Sequence, residues 1–192
     1  MSPQRSNRDR LIEGALRCLE MLPAERVTAR AIAKESGANL ASIAYHFGSK
    51  DALVTEATIE GLDRWLVEID RALEDAAEGP APARLSRAAI AIESGRRRRA
   101  GLARAFVVAL AKAQHDARIA SMLADGFRRT RPRLAAVLRL GEDQAGEDAA
   151  GLAHSMFTGL ALQTLLDESL AIGGERMERA QIRLRTVLPT RA

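Results

Sequence analysis

A single cysteine, Cys18, excludes an internal disulfide and fits a reducing compartment. Aromatic residues are only 3% of the chain, which argues against a broad stacking pocket for flat multi-ring ligands. Three histidines, His46, His115 and His154, lie far apart in sequence. There is no Glu-x-x-His pair, no His-Glu-x-x-His and no paired cysteine ligands, so no metal site and no cofactor is expected. No Gly-x-Ser-x-Gly elbow or phosphate loop is present, and an enzyme has no residue set to rest on. No apolar run reaches the ~18 residues of a membrane span. The opening MSPQRSNRDR lacks the apolar stretch of a secretory signal, and a cytoplasmic protein is expected. Strand-like alternation, internal repeats and low-complexity tracts are absent too.

What is present is helical periodicity and unevenly placed charge. Apolar residues make up 47% and charged residues 28% of 192 residues, enough for a globular chain with a real core. The net charge of +4 hides large local differences. Residues 1–50 carry 8 basic and 5 acidic groups, +3, whereas residues 51–95 carry 4 and 10, −6. Residues 96–140 carry 12 and 2, +10, and residues 141–192 carry 5 and 8, −3. A mildly basic start is compatible with phosphate contacts.

The stretch VTARAIAKESGANLASIAYHFGSK, residues 27–50, has the most specific pattern. Thr28 is an N-cap residue ahead of Ala31, Ile32 and Ala33. Gly37 suits the left-handed residue that closes a helix. Asn39 can cap the next helix, on which Ile43 and Phe47 share one face. Gly48 ends that helix and Ser49 caps another. Helix, glycine turn, helix is a helix-turn-helix, whose second helix enters a DNA major groove. A preceding helix carries Leu11, Ala15, Cys18, Leu19 and Leu22, is capped within Ser6–Asp9 and ends at Pro23. Leu16, Leu19, Ile32, Ile43 and Phe47 would share one small core.

The order RxxxLIEGALRCLE, VTARAIAKESG, YHFGSKDAL resembles the tetracycline-repressor (TetR) family of bacterial transcription regulators. The likeness is sharp over about residues 9–53 and extends in layout to the whole chain. It differs at Ala44, where many members have tyrosine. The resemblance implies an all-α protein of about nine helices. A helix-turn-helix domain, 1–50, would bind DNA, and a helical domain, 51–192, would bind an effector and dimerise.

Site residues follow from both readings. With Ile43 and Phe47 inward, Leu40, Ala41, Ser42 and Ala44 face outward and can meet thymine methyls or a base edge. Asn39 stands beside them. Tyr45, His46 and Lys50 resemble the family's phosphate-contacting set. For Tyr45 packing, and for His46 a plain surface position, are the alternatives. Thr28 and Arg30 are further phosphate candidates, as are Arg5, Arg8 and Arg10 in an N-terminal arm; each arginine could instead be solvated. The run Arg96–Arg99 invites a nucleic-acid or anion-binding reading, or a solvated helix junction.

Beyond the module, helix four is expected from Ser49 to about residue 77, with an apolar stripe through Leu53, Ala57, Leu62, Trp65, Leu66, Ile69 and Leu73. EGPAP, 78–82, breaks the chain. Helices follow at about 83–95, 97–114, 116–140, 147–172 and 175–188, punctuated by Gly95, Gly101, Pro132, Gly141 and Gly173-Gly174. Pro132 predicts a kink or break. Trp65, Leu102, Phe106, Leu110, Met122, Phe127, Leu152 and Met156 lie on apolar faces that could line a ligand cavity or simply pack. The segment 151–170 is apolar nearly all round, with Gly151, Ser155 and Gly159 spaced for close helix approach. Ser155, Gly159, Leu162, Leu166, Leu170 and Ile182 would form a four-helix dimer interface, as the family likeness implies, or an internal core.

The expected function is a ligand-responsive regulator, a repressor binding a palindromic double-stranded operator as a homodimer. A helical protein–protein interaction module without specific DNA binding is the alternative.

Overall fold

The computed structural model describes residues 6–74 and 99–186, with the single positions 87, 90, 91 and 95 between them. The helix expected at 83–95, the side chain of Leu73, and Arg5 and Arg96–Arg98 lie outside the described residues. Among the described residues there are eight α-helices and no strands: α1 (Asn7–Met21), α2 (Ala29–Ser36), α3 (Ala41–Phe47), α4 (Lys50–Glu74), α5 (Ala100–Ala113), α6 (Ala117–Leu138), α7 (Gln144–Leu166) and α8 (Gly174–Leu184). Short 3-10 turns stand at Ala24–Arg26 and Glu168–Leu170. No described helix is long and apolar enough to cross a membrane.

Local chemistry sets the first helices. Ser6 caps α1, its hydroxyl accepting the Asp9 N–H at 3.2 Å. Thr28 caps α2 by accepting the Ala31 N–H at 3.1 Å. Gly37 closes α2 at φ +62°, where a Cβ would be strained. Ser49 accepts the Ala52 N–H at 3.0 Å and starts α4. Each such cap is worth about 1 kcal/mol, so the boundaries are written locally.

The chain packs into two units. The first joins residues 1–65 with 98–130. Its core gathers Leu11, Leu16, Leu19, Ile32, Ile43, Phe47 and Leu53 with Leu102, Ala105, Ala109, Ile119 and Leu123. The expected core of the N-terminal helices is therefore present, and α5 and the start of α6 complete it. Burying side chains of this size contributes about 1.5–3 kcal/mol each. The second unit joins residues 66–97 with 131–192 and buries Leu134, Ala135, Leu138, Ala150, Phe157 and Met177.

Three expectations are corrected. Gly101 does not punctuate the chain: it lies inside α5, where the Leu19 carbonyl of α1 occupies the space a Cβ would need. Of the kink or break that Pro132 predicts, the break does not occur, since α6 runs through it. Proline costs one backbone hydrogen bond. Buried Leu134, Ala135, Val137 and Leu138 follow it, and Ile119 and Leu123 precede it, so packing on both sides outweighs that loss. Finally, α7 stops at Leu166 rather than near 172. Asp167 turns extended there, and its carboxylate accepts the Ser169 N–H at 2.8 Å, competing with the helix for that backbone.

Candidate nucleic-acid interface

Helix α3 has only seven residues, too few to be stable alone. It is held from outside itself. Asn39 Oδ1 accepts the Ala41 N–H at 2.9 Å, a cap two residues on, although Leu40 occupies the formal cap position. Ile43 and Phe47 anchor it, Phe47 being 1% exposed. Gly48, at φ +77°, ends it.

This anchoring fixes what the opposite face presents. Leu40, Ala41 and Ala44 are exposed, Ser42 is half-buried, and Tyr45 is 85% exposed. Tyr45 stands edge-on to His46, ring centroids 4.8 Å apart. The packing alternative for Tyr45 thus reduces to this one ring contact. Thr28 and Arg30, at the start of α2, are exposed, and Asn39 is as well. Lys50, in the first turn of α4, is half-buried with Nζ 2.9 Å from Asp51 Oδ1. All ten residues expected to meet DNA therefore belong to the first unit.

Arg8 and Arg10 do not reach outward as an arm. Arg8 pairs with Glu56 and lies over the Phe47 ring, 5.5 Å from its centroid. Arg10 donates to the Gly37 carbonyl at 2.8 Å, clamping α1 to the turn. Both therefore hold the module together.

The residues expected to line a cavity divide between the units. Trp65, Leu102, Phe106, Leu110, Met122 and Phe127 lie in the first. Phe106 and Phe127 meet edge-to-face at 6.0 Å, and Leu102 packs where a Cβ on Gly61 would stand. Arg99 is 8% exposed and lies over Trp65 at 5.1 Å, so it is not the solvated charge expected of the arginine run. Met156 is half-buried in the second unit, and Leu152 there is 74% exposed. A cleft the sequence did not suggest opens elsewhere in the first unit, bounded by Leu22, Val27, Lys50, Asp51, Val108 and Lys112. At about 60 Å³ it is far smaller than the several hundred Å³ of drug-sized sites.

The dimer candidates are exposed or half-buried in their own chain. Ser155 is exposed, Gly159 has open space about its Cα, and Leu162 is half-buried. Leu166 is 86% and Ile182 62% exposed, with Leu170 exposed beside them.

Residues 11–57 match the family described as bacterial regulatory proteins, tetR family. The match spans α1 through the first turns of α4, the elements just described. Residues 11–57 thus form a DNA-binding domain of the tetR family. The chain is a DNA-binding regulator rather than an enzyme. No curated protein matches it in sequence. Among solved structures, the regulator is similar to a protein of Pseudomonas aeruginosa PAO1 described as a transcriptional regulator, at 26% identity and TM-score 0.65, over 94% of this chain and 89% of that one. It is also similar to the multidrug binding protein EbrR, complexed with imidazole, at 22% and 0.65, over 94% and 90%. A third is a regulator of Saccharomonospora viridis in complex with choline, at 21% and 0.57, over 93% and 95%. The last two likenesses establish the fold alone.

Proposed function

We propose that the regulator is a cytoplasmic repressor that binds a palindromic operator as a homodimer and is released by a small molecule. Residues 1–50 carry the DNA contacts, and residues 51–192 carry dimerisation and effector binding. The single observation behind this reading is the face of α3. A helix anchored by Ile43 and Phe47 turns Leu40, Ala41, Ala44 and Tyr45 to solvent, with exposed Arg30 on α2 and half-buried Lys50 on α4 in the same unit. Small apolar groups suit thymine methyls, and Ser42 suits a base edge. Thr28, Arg30, Asn39, Tyr45, His46 and Lys50 then position the helix on phosphates.

The exposed apolar residues Leu166 on α7 and Ile182 on α8 support a twofold dimer, which would set two α3 helices about 34 Å apart, one turn of DNA. The effector is supported by the choline and imidazole held by the two similar proteins. Its action needs different affinities for two states of the dimer; a coupling of about 3 kcal/mol changes DNA affinity roughly 150-fold.

The test is binding of the purified protein to the DNA upstream of its own coding sequence, titrated with salt, against Tyr45→Ala and Lys50→Ala. Sequence-preferring binding that weakens in both variants, with a shallower salt slope for Lys50→Ala, is expected. Weak binding indifferent to sequence and to both substitutions would move the interaction-module reading ahead.

A further inference from the structure

The structure brings a second set of cations to the DNA-reading module from a part of the chain far away in sequence. Helix α5 ends and α6 begins at the corner 114–116, within the same packed unit as α1 to α3. Arg118, in the first turn of α6, is exposed, and its Nη1 reaches to 2.7 Å from where a Cβ on Gly48 would stand. Gly48 is the first of the two residues between α3 and α4, two residues before Lys50. Arg118 thus lies directly on the α3–α4 turn. Its own N–H is taken by Asp116 Oδ1 at 3.0 Å, which caps α6, so that carboxylate is engaged by backbone donors.

Lys112, in the last turn of α5, reaches the same place by another route. Its ammonium pairs with Asp51 Oδ2, while Lys50 pairs with Asp51 Oδ1 at 2.9 Å. Burial acts to raise the Asp51 carboxyl, but hydrogen bonds from Lys112 and Lys50 outweigh it and hold the group below its ordinary value. One carboxylate therefore has two cations. If Lys50 turns to a DNA phosphate, Asp51 keeps the other. Without Lys112, Asp51 would compete with the phosphate for Lys50 and would also repel it across a few ångströms. The charged and titratable groups at this corner are Lys50, Asp51, Arg104, Lys112, His115, Asp116 and Arg118.

We infer that the corner between α5 and α6 completes the phosphate-binding edge of the module: Arg118 meets a phosphate beside the α3–α4 turn, and Lys112 holds Asp51 so that Lys50 is available to another. Arg118 is a contact residue and Lys112 a positioning residue. The inference rests on residues 1–50 binding DNA, and it extends the binding surface past them.

Non-specific binding is enough to test it, because phosphate contacts do not depend on sequence. The full-length protein is titrated onto an end-labelled mixed-sequence DNA duplex by fluorescence anisotropy at several salt concentrations. Arg118→Ala is expected to flatten the slope of log affinity against log salt by about 1 per protomer, and Arg118→Lys to keep it. An unchanged slope in Arg118→Ala overturns the contact. Loss of the slope in Arg118→Lys as well assigns the guanidinium to packing on the end of α3 and overturns it too. Should Arg118→Ala melt early, the lysine variant still decides. Lys112→Ala is expected to weaken binding about threefold to tenfold in the natural background and to have little effect in Asp51→Asn. Equal losses in both backgrounds overturn the positioning role. If the natural protein and Lys50→Ala bind alike, without salt dependence, the DNA-binding reading itself falls. If Lys50→Ala weakens binding and the corner variants do not, only the present inference falls.

Discussion

Gly37 and Gly101 are both glycine for steric reasons, but not the same one. At Gly37 the backbone is left-handed, φ +62°, and nothing stands within 4 Å of a Cβ. Alanine there meets only conformational strain, about 1 kcal/mol. At Gly101 the backbone is ordinary helix, and the obstacle is the Leu19 carbonyl, which a side chain cannot displace without parting α1 from α5. Gly101→Ala should therefore destabilise by roughly 3 kcal/mol, the scale of an overpacked core. Urea denaturation of both variants measures the difference; equal losses would mean that α1 and α5 separate easily.

His154 offers a second residue-scale prediction. Burial, and then the charge of Arg131 on α6, push its pKa below the ordinary imidazole value. The native state then binds fewer protons than the unfolded chain in the window just below about 6.5. Stability must rise as pH increases through that window and fall as pH drops from about 7 toward 5. Melting temperatures across this range should decline in acid less steeply for His154→Gln than for the natural protein. An identical decline would place the titration on other groups.

Among the helices, legibility depended on where the determining contacts lie. The caps at Ser6, Thr28, Asn39 and Ser49 act within three residues, so the starts of α1 to α4 are legible directly in the sequence. The end of α7 was misjudged because apolar Leu170 and Ile172 continue the pattern, whereas Asp167 diverts the backbone at Ser169. Pro132 predicts a kink or a break, and the break is absent because packing on both sides carries the helix through it. The apolar character of α7 was legible, but which side its own chain covers was not. Leu166 stands on the uncovered side of α7, and Ile182 is exposed on α8. Leu166→Glu with Ile182→Glu should convert a dimer to monomers in analytical ultracentrifugation while leaving the helical circular dichroism intact. A doubly substituted protein that still sediments as a dimer would move the interface elsewhere.

At the scale of the molecule, the sequence by itself determined the all-helical class, the helix-turn-helix and the outward set of α3. Those follow from local rules: hydrophobic spacing, capping side chains and glycine at left-handed turns. It also marked Arg8, Arg10 and the arginine run as cations without saying where they go. Only the tertiary structure decided that Arg8 and Arg10 clamp the module and that Arg99 lies against Trp65. The same holds for residues 98–130, which close the core of the N-terminal helices. It also brought Lys112 and Arg118 to the α3–α4 turn, a juxtaposition of positions more than sixty residues apart. Periodicity shows that a helix has a buried face; which distant face meets it depends on the shapes and charges of both, and these come together only when the chain folds.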